Sequence, residues 1–280
     1  MRVNWSKVND RKMYLEEFDS YLDFLNTVES RKVKHKEYAL ENAGNRREFQ
    51  DVRDYKEARE LFLFGWDKAS EKIKTLVDKE VAKLMSERTY VRRFSDVVGF
   101  APIVPNALKN LPICMINQKN DTKKQKVVKF LIDIDVSASV DSDEMTEYFS
   151  KVVARIAVLE KMGYRCRIEI FESYSYPGEK KMIITKVVKV KSENQLFDIK
   201  RMSFAISHVA MFRVFGFAWY DSLPFEESEY WEPGFGRPLN KWYDEKAVKK
   251  VIDNTIKVNE KVVYISYGDD LDKIFGKEVK

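Results

Sequence analysis

The segment Asp135-Val-Ser137-Ala-Ser139 places one carboxylate and two hydroxyls at alternate positions, after one apolar run and before another. Hard divalent cations prefer such oxygen donors, so Asp135, Ser137 and Ser139 form a candidate Mg-type site. Asp and Ser at a strand-to-helix turn are also what ordinary capping selects. Asp269 and Asp270 follow the last apolar run and reach the same sheet edge if that strand runs parallel to the first.

A second chemistry is diffuse. Arg46, Arg47, Phe49 and Arg53 lie together, as do Arg88, Tyr90, Arg92, Arg93 and Phe94, with Lys123, Lys124 and Lys126 further on. Bases joined to rings suit single-stranded DNA, where cations track the backbone and each stacked base contributes roughly 1–3 kcal/mol. The alternative is a solvated helix face with its rings turned inward. A third set, Phe225, Glu226, Glu227, Glu229, Tyr230 and Trp231, lies in the base-free run Asp221–Glu232 and reads as a protein contact, because DNA is repelled there.

Catalysis has no visible constellation: no P-loop, GxGxxG, GxSxG or HExxH occurs, and His208 sits in an apolar helical pattern. The chain therefore reads as a binding protein and not an enzyme. Cys114 and Cys166 lie in apolar surroundings without a CxxC, which points to reduced thiols. No cofactor is expected beyond Mg in the cation reading.

These residues need a frame. VVKFLIDIDV from Val127 reads as a buried strand, Asp141 and Glu144 as a capping box, and Gly163 as the end of the following helix. The stretches around Cys166 and Ile184 form a hairpin across PGEKK; helices near 197–217 and 244–258 and a strand at 262–266 follow. The fold class is α/β: a mixed sheet with a Rossmann-like β-α-β core, one antiparallel hairpin and helices packed around it. Residues 1–95 read as a mainly helical region, 96–126 as an irregular proline-punctuated connector, and 127–280 as the α/β core with a long loop at 221–240.

With 280 residues, 44% hydrophobic and few Gly or Pro, the chain has material for a large core and little room for disorder. No apolar run approaches a membrane span, and MRVNWSKVNDRK lacks a secretion signal, so the protein is expected to stay where it is made. The net charge of +5 is a weak pointer to nucleic acid; its distribution is more telling, with six lysines from Lys109 to Lys129 and seven bases from Lys180 to Arg201.

The D-x-S-x-S spacing resembles the metal site of von Willebrand A-type domains, where a carboxylate and two hydroxyls hold Mg from a strand-end loop; the Thr and Asp loops that complete that site are not recognisable here. Other segments, among them Asp54–Ile73, Val97–Met115, Phe197–Phe217 and GFGRP at Gly234–Pro238, resemble a family of uncharacterised tailed-phage proteins. Size, basic charge and α/β content are also similar to the single-stranded DNA-binding RNA polymerase cofactors of N4-like phages. That resemblance implies single-stranded DNA and a phage RNA polymerase as partners, in the cytoplasm of an infected bacterium. The alternatives are an A-type interaction module and a phage structural or host-takeover protein.

Overall fold

The computed structural model describes residues 1–8, 11–87, 93–96, 101–109, 111–118, 126–137, 140–175, 182–225, 245–256 and 262–278. The chain divides into two compact units, Asp78–Lys126 and the remainder. Elements run in the order β1 (Arg2–Val8), β2 (Arg11–Phe18), α1 (Tyr21–Ser30), α2 (Arg47–Gln50), α3 (Tyr55–Phe64) and α4 (Asp67–Glu87). The smaller unit holds β3 (Arg93–Asp96), β4 (Ala101–Pro102), α5 (Val104–Leu108) and β5 (Met115–Gln118), its three strands ordered β3-β5-β4. There follow β6 (Val127–Asp133), α6 (Ser142–Lys161), β7 (Arg165–Ser175), β8 (Met182–Lys191), α7 (Ile199–Met202), α8 (Phe217–Asp221), α9 (Glu245–Ile256), β9 (Val262–Ile265) and α10 (Leu271–Glu278).

The larger unit is built on one mixed sheet ordered β1-β2-β8-β7-β6-β9. β6 is parallel to β7 on one side and to β9 on the other. β7 and β8 form the expected antiparallel pair, whose turn lies outside the described residues. The α/β expectation therefore holds. The N-terminal region departs from it: residues 2–18 form an antiparallel hairpin whose second strand joins β8 in parallel. Alternation of Met13, Leu15 and Glu17 against Tyr14, Glu16 and Phe18 is a strand pattern hidden beneath a high charge content. Residues 96–126 also differ from an irregular connector, since β4, α5 and β5 belong to a unit of their own.

One face of the large sheet is covered by α9, where Met13, Leu15, Leu131, Phe171, Ile183 and Val187 pack on Val248 and Ile252. On the other face Phe130 meets Phe275 of α10, and Lys186 lies beneath the rings of Phe24 and Trp219. Local signals explain the helix starts: the side chains of Ser20, Asp54 and Asp141 each accept a backbone N–H at the heads of α1, α3 and α6. Asp141 accepts from Asp143, and Gly163 at φ +89° follows the far end of α6.

The stretch from α7 to α8 is unusual. It carries two π-helical segments, Ser203–Ser207 and Met211–Gly216, separated where His208 turns extended. The Nδ1 atom of His208 accepts the N–H of Ala210 at 3.1 Å, restarting the helix. The stretch is apolar because it is buried; among the described residues no single helix is long and apolar enough to cross a membrane.

Candidate cation site at the ends of the central strands

β6 continues through α6 into β7 on one side, whereas β9, much later in the chain, lies on the other side. The order of connection therefore reverses between β6 and β9. In open α/β sheets the crevice beyond the carboxyl ends of such strands is where ligands bind. The two loops at this crevice are the one beginning at Asp135 and the one holding Ser266–Asp270.

The described residues of the Asp135 loop are held by backbone hydrogen bonds. Ile134 donates its N–H to Phe171 at 3.2 Å, the N–H of Asp135 donates to Oδ1 of Asp133 at 3.1 Å, and Val140 closes a turn onto the carbonyl of Ser137 at 3.0 Å. Opposite, the N–H of Ser266 donates to Asp269 at 2.7 Å and that of Lys273 to Asp270 at 3.1 Å, so both carboxylates cap their own loop. Tyr148 of α6 places its hydroxyl 2.8 Å from the carbonyl of Ser266 and 3.1 Å from that of Asp269, clamping this loop to the helix. The parallel β6–β9 pairing brings Asp269 and Asp270 to the expected edge, but their oxygens are engaged in turn and cap.

Asp135 is only 7% exposed, and neither carboxylate oxygen has a hydrogen-bond partner among the described residues. Burial, with Asp133 and Glu172 nearby, pushes its carboxyl well above the usual carboxylate range, against the pull of Lys186. Behind it runs a row of buried charge across three strands: Glu16, Lys186 and Glu172 occupy paired positions on β2, β8 and β7. Lys186 meets Glu172 at 2.8 Å; Glu16 accepts from Arg31 at 3.0 Å and from the indole of Trp219 at 2.6 Å. Burial lowers Lys186 and raises Glu172 while their attraction opposes both shifts. A carboxylate with two orphaned oxygens beside this row is the donor a divalent cation would complete. Such an ion would also reverse the preference for the protonated form. Among the described residues no three His, Cys, Asp or Glu side chains cluster for a metal, so any site depends on the Ser137 hydroxyl and on Ser139, which lies outside the described residues.

The basic and aromatic candidates are divided between the two units. Arg46 and Arg47 are exposed at α2, but Arg46 pairs with Glu37 at 3.1 Å and Arg53 with Glu57 at 3.1 Å. Phe49 turns inward: the guanidinium of Arg213 lies 4.2 Å from its ring centre and the ring of Phe217 at 6.2 Å, a contact that competes with base stacking. Arg93 and Phe94 belong to β3 of the smaller unit and Lys126 is exposed at that unit's end, while Arg88, Tyr90, Arg92, Lys123 and Lys124 lie outside the described residues. Lys129, Lys186 and Lys191, counted among the basic runs, are buried and hold Glu169, Glu172 and Glu160 at 2.8 Å each.

Of the acidic stretch, Asp221 to Phe225 are described. Asp221 is buried and accepts from the N–H groups of Lys34 and His35, with His35 Nδ1 at 2.8 Å. Phe225 is half-buried against Tyr14 at 5.1 Å and Trp5 at 6.0 Å. Glu226, Glu227, Glu229, Tyr230 and Trp231 lie outside the described residues.

Sequence reading missed Glu16, Glu172, Lys186 and Arg213. A signal existed for the strand residues: each is a charge at an inward position of an alternating run, where water cannot reach it and a partner is obligatory. No curated protein and no solved structure matches the chain. A family model matches residues 4–278, spanning both the hairpin and the loops of the crevice, and the chain thus belongs to the family described as a domain of unknown function, DUF7192.

Proposed function

We propose that this protein is a von Willebrand A-like protein-interaction module that takes a Mg-type divalent cation at Asp135, Ser137 and Ser139. The observation that supports it most is the buried carboxylate of Asp135, orphaned among the described residues, beyond β6, where the strand order reverses. Asp135 would supply the charge and the serine hydroxyls neutral oxygens. Mg keeps part of its shell as water, which leaves positions for an acidic group of a partner. The single-stranded DNA reading, with a phage RNA polymerase as partner and a phage origin, competes with it and draws on the exposed Arg46, Arg47, Arg53 and Lys126.

The test is calorimetric titration of the apo protein with Mg and Mn, beside anisotropy of labelled single-stranded DNA in EDTA. Saturable cation binding abolished by Asp135→Ala is expected. No binding of either ion at millimolar concentration overturns the module. Salt-steep, EDTA-indifferent DNA binding transfers the function to the second reading.

A further inference from the structure

Arg213 lies in the second π-helical segment, is 2% exposed and has no carboxylate within ion-pair distance among the described residues. With only the charge of Asp141, beyond ion-pair distance, to oppose the cost of burying this guanidinium, its hydrogen bonds must make up the difference. Two of the three go to the end of the Asp135 loop and the start of α6, the third to α2. Nη2 donates to the carbonyl of Val140 at 3.3 Å, and Nη1 reaches Ser142 Oγ at 3.1 Å and the carbonyl of Phe49 at 2.8 Å. The rigid fork thus holds both the last turn of the Asp135 loop and the first residue of α6, with its other side seated on the Phe49 ring.

The two ends of the loop are secured by unlike means. The near end hangs on β-sheet geometry through Ile134 and on Asp133. The far end hangs on Arg213, a residue more than seventy positions away in sequence. Ser137 lies between these anchors, tied to the far one by its turn to Val140. Displacing Val140 therefore displaces the hydroxyl that the cation reading requires.

We propose that Arg213 is the positioning residue of the Asp135 loop, setting cation affinity without supplying a ligand. This rests on the cation reading and is separable from it. Its positive charge opposes a cation, whereas its fork organises the site, and the two effects have opposite signs on substitution. If charge dominates, removing it tightens binding; if positioning dominates, losing the fork weakens binding whether or not the charge remains.

The experiment measures Mn dissociation constants by electron paramagnetic resonance, with Mg competition, for the wild type, Arg213→Lys, Arg213→Met, Ser142→Ala and Asp135→Ala. Arg213→Lys and Arg213→Met are each expected to weaken binding by about tenfold or more, in the range of lost outer-shell contacts, and Ser142→Ala severalfold. The gain in Tm on adding Mn should shrink in the same order, a readout that a purely structural role leaves unchanged. If Arg213→Met does not fold, Arg213→Lys and Ser142→Ala carry the decision. Unchanged constants, or tighter binding in Arg213→Met, overturn this inference alone; a wild type that takes up no Mn overturns it together with the cation reading.

Discussion

Glu172 on β7 and Lys186 on β8 stand directly opposite each other across an antiparallel pair, 2.8 Å apart and without solvent exposure. Lys186 also faces Glu16 on β2 and lies 4.5 Å from the centre of the Phe24 ring and 5.1 Å from that of Trp219. One cation therefore holds three strands and two aromatic rings in register. Breaking such a group leaves an uncompensated charge in a dry core, which typically costs more than the whole group contributes relative to apolar packing.

Lys186→Met alone is expected to destabilise the fold by about 3–5 kcal/mol. The pair Lys186→Met with Glu172→Leu should recover a large part of that loss, because no orphan charge remains at that position. Urea unfolding of the wild type, Lys186→Met, Glu172→Leu and the double variant checks this; a double variant as unstable as the sum of its singles would contradict it.

A Cβ added at Gly216 would lie 2.5 Å from Glu172 Oε2 and 3.0 Å from Lys186 Nζ, so the buried ion pair would have to shift. Overpacking of this kind costs about 1–3 kcal/mol, enough to outweigh the ~1 kcal/mol that Ala gains over Gly in a helix. A lower Tm is expected for Gly216→Ala, and a smaller decrease in a Glu172→Asp background, where the carboxylate is drawn back. An equal decrease in both backgrounds would show that the clash lies elsewhere.

Burial holds His208 down at about 4 from an ordinary 6.5, with Trp66 and Phe204 against its ring. The unfolded chain then binds the proton more readily than the folded one. The stability contributed by neutral His208 is complete above pH 6.5 and is lost as pH falls toward 4, by up to about 3 kcal/mol. In His208→Asn, whose amide oxygen can still accept from Ala210, that part of the acid loss should vanish. Denaturation at pH 7 and pH 4.5 measures it as a difference between proteins, which cancels the other titrations.

Trp219 donates its indole N–H to Glu16 at 2.6 Å, inside the core. Trp219→Phe keeps most of the ring but leaves Glu16 one donor short, for an expected loss of about 1–3 kcal/mol. Equilibrium unfolding that shows no loss would mean that Arg31 alone satisfies Glu16.

The parts of the fold visible in sequence were those with a clean period. Val127–Asp133 is buried on both faces, with Lys129 its one inward base, because helices cover both, and α6 shows its capping residue and its stripe directly. β1 and β2 stayed hidden because an edge hairpin tolerates charge on its exposed positions, and Glu16 occupies an inward one. The site was half visible. Asp135 and Ser137 stand out by spacing, whereas Arg213 is one base in an apolar helical stretch, and only the packed chain shows that its fork returns to the loop. Spacing leaves Phe49 and Phe225 open to either side, because it does not say which ring a guanidinium or a neighbouring strand will cover.

The parallel joining of β2 to β8 also sets an order of events during synthesis. β2 leaves the ribosome on the order of 150 residues before its partner, an interval of roughly ten seconds or more at ordinary elongation rates. Throughout that wait the hairpin offers an open edge, which is the template for pairing with the wrong chain. Glu16 stands in the middle of that edge, with Arg31 soon available to it but with Lys186 and the indole of Trp219 still to come. It discourages an apolar newcomer, and Lys186 is the residue that arrives at its register position to release the guard. Nascent chains of Glu16→Leu, stalled before residue 182, should therefore aggregate more readily than those of the wild type.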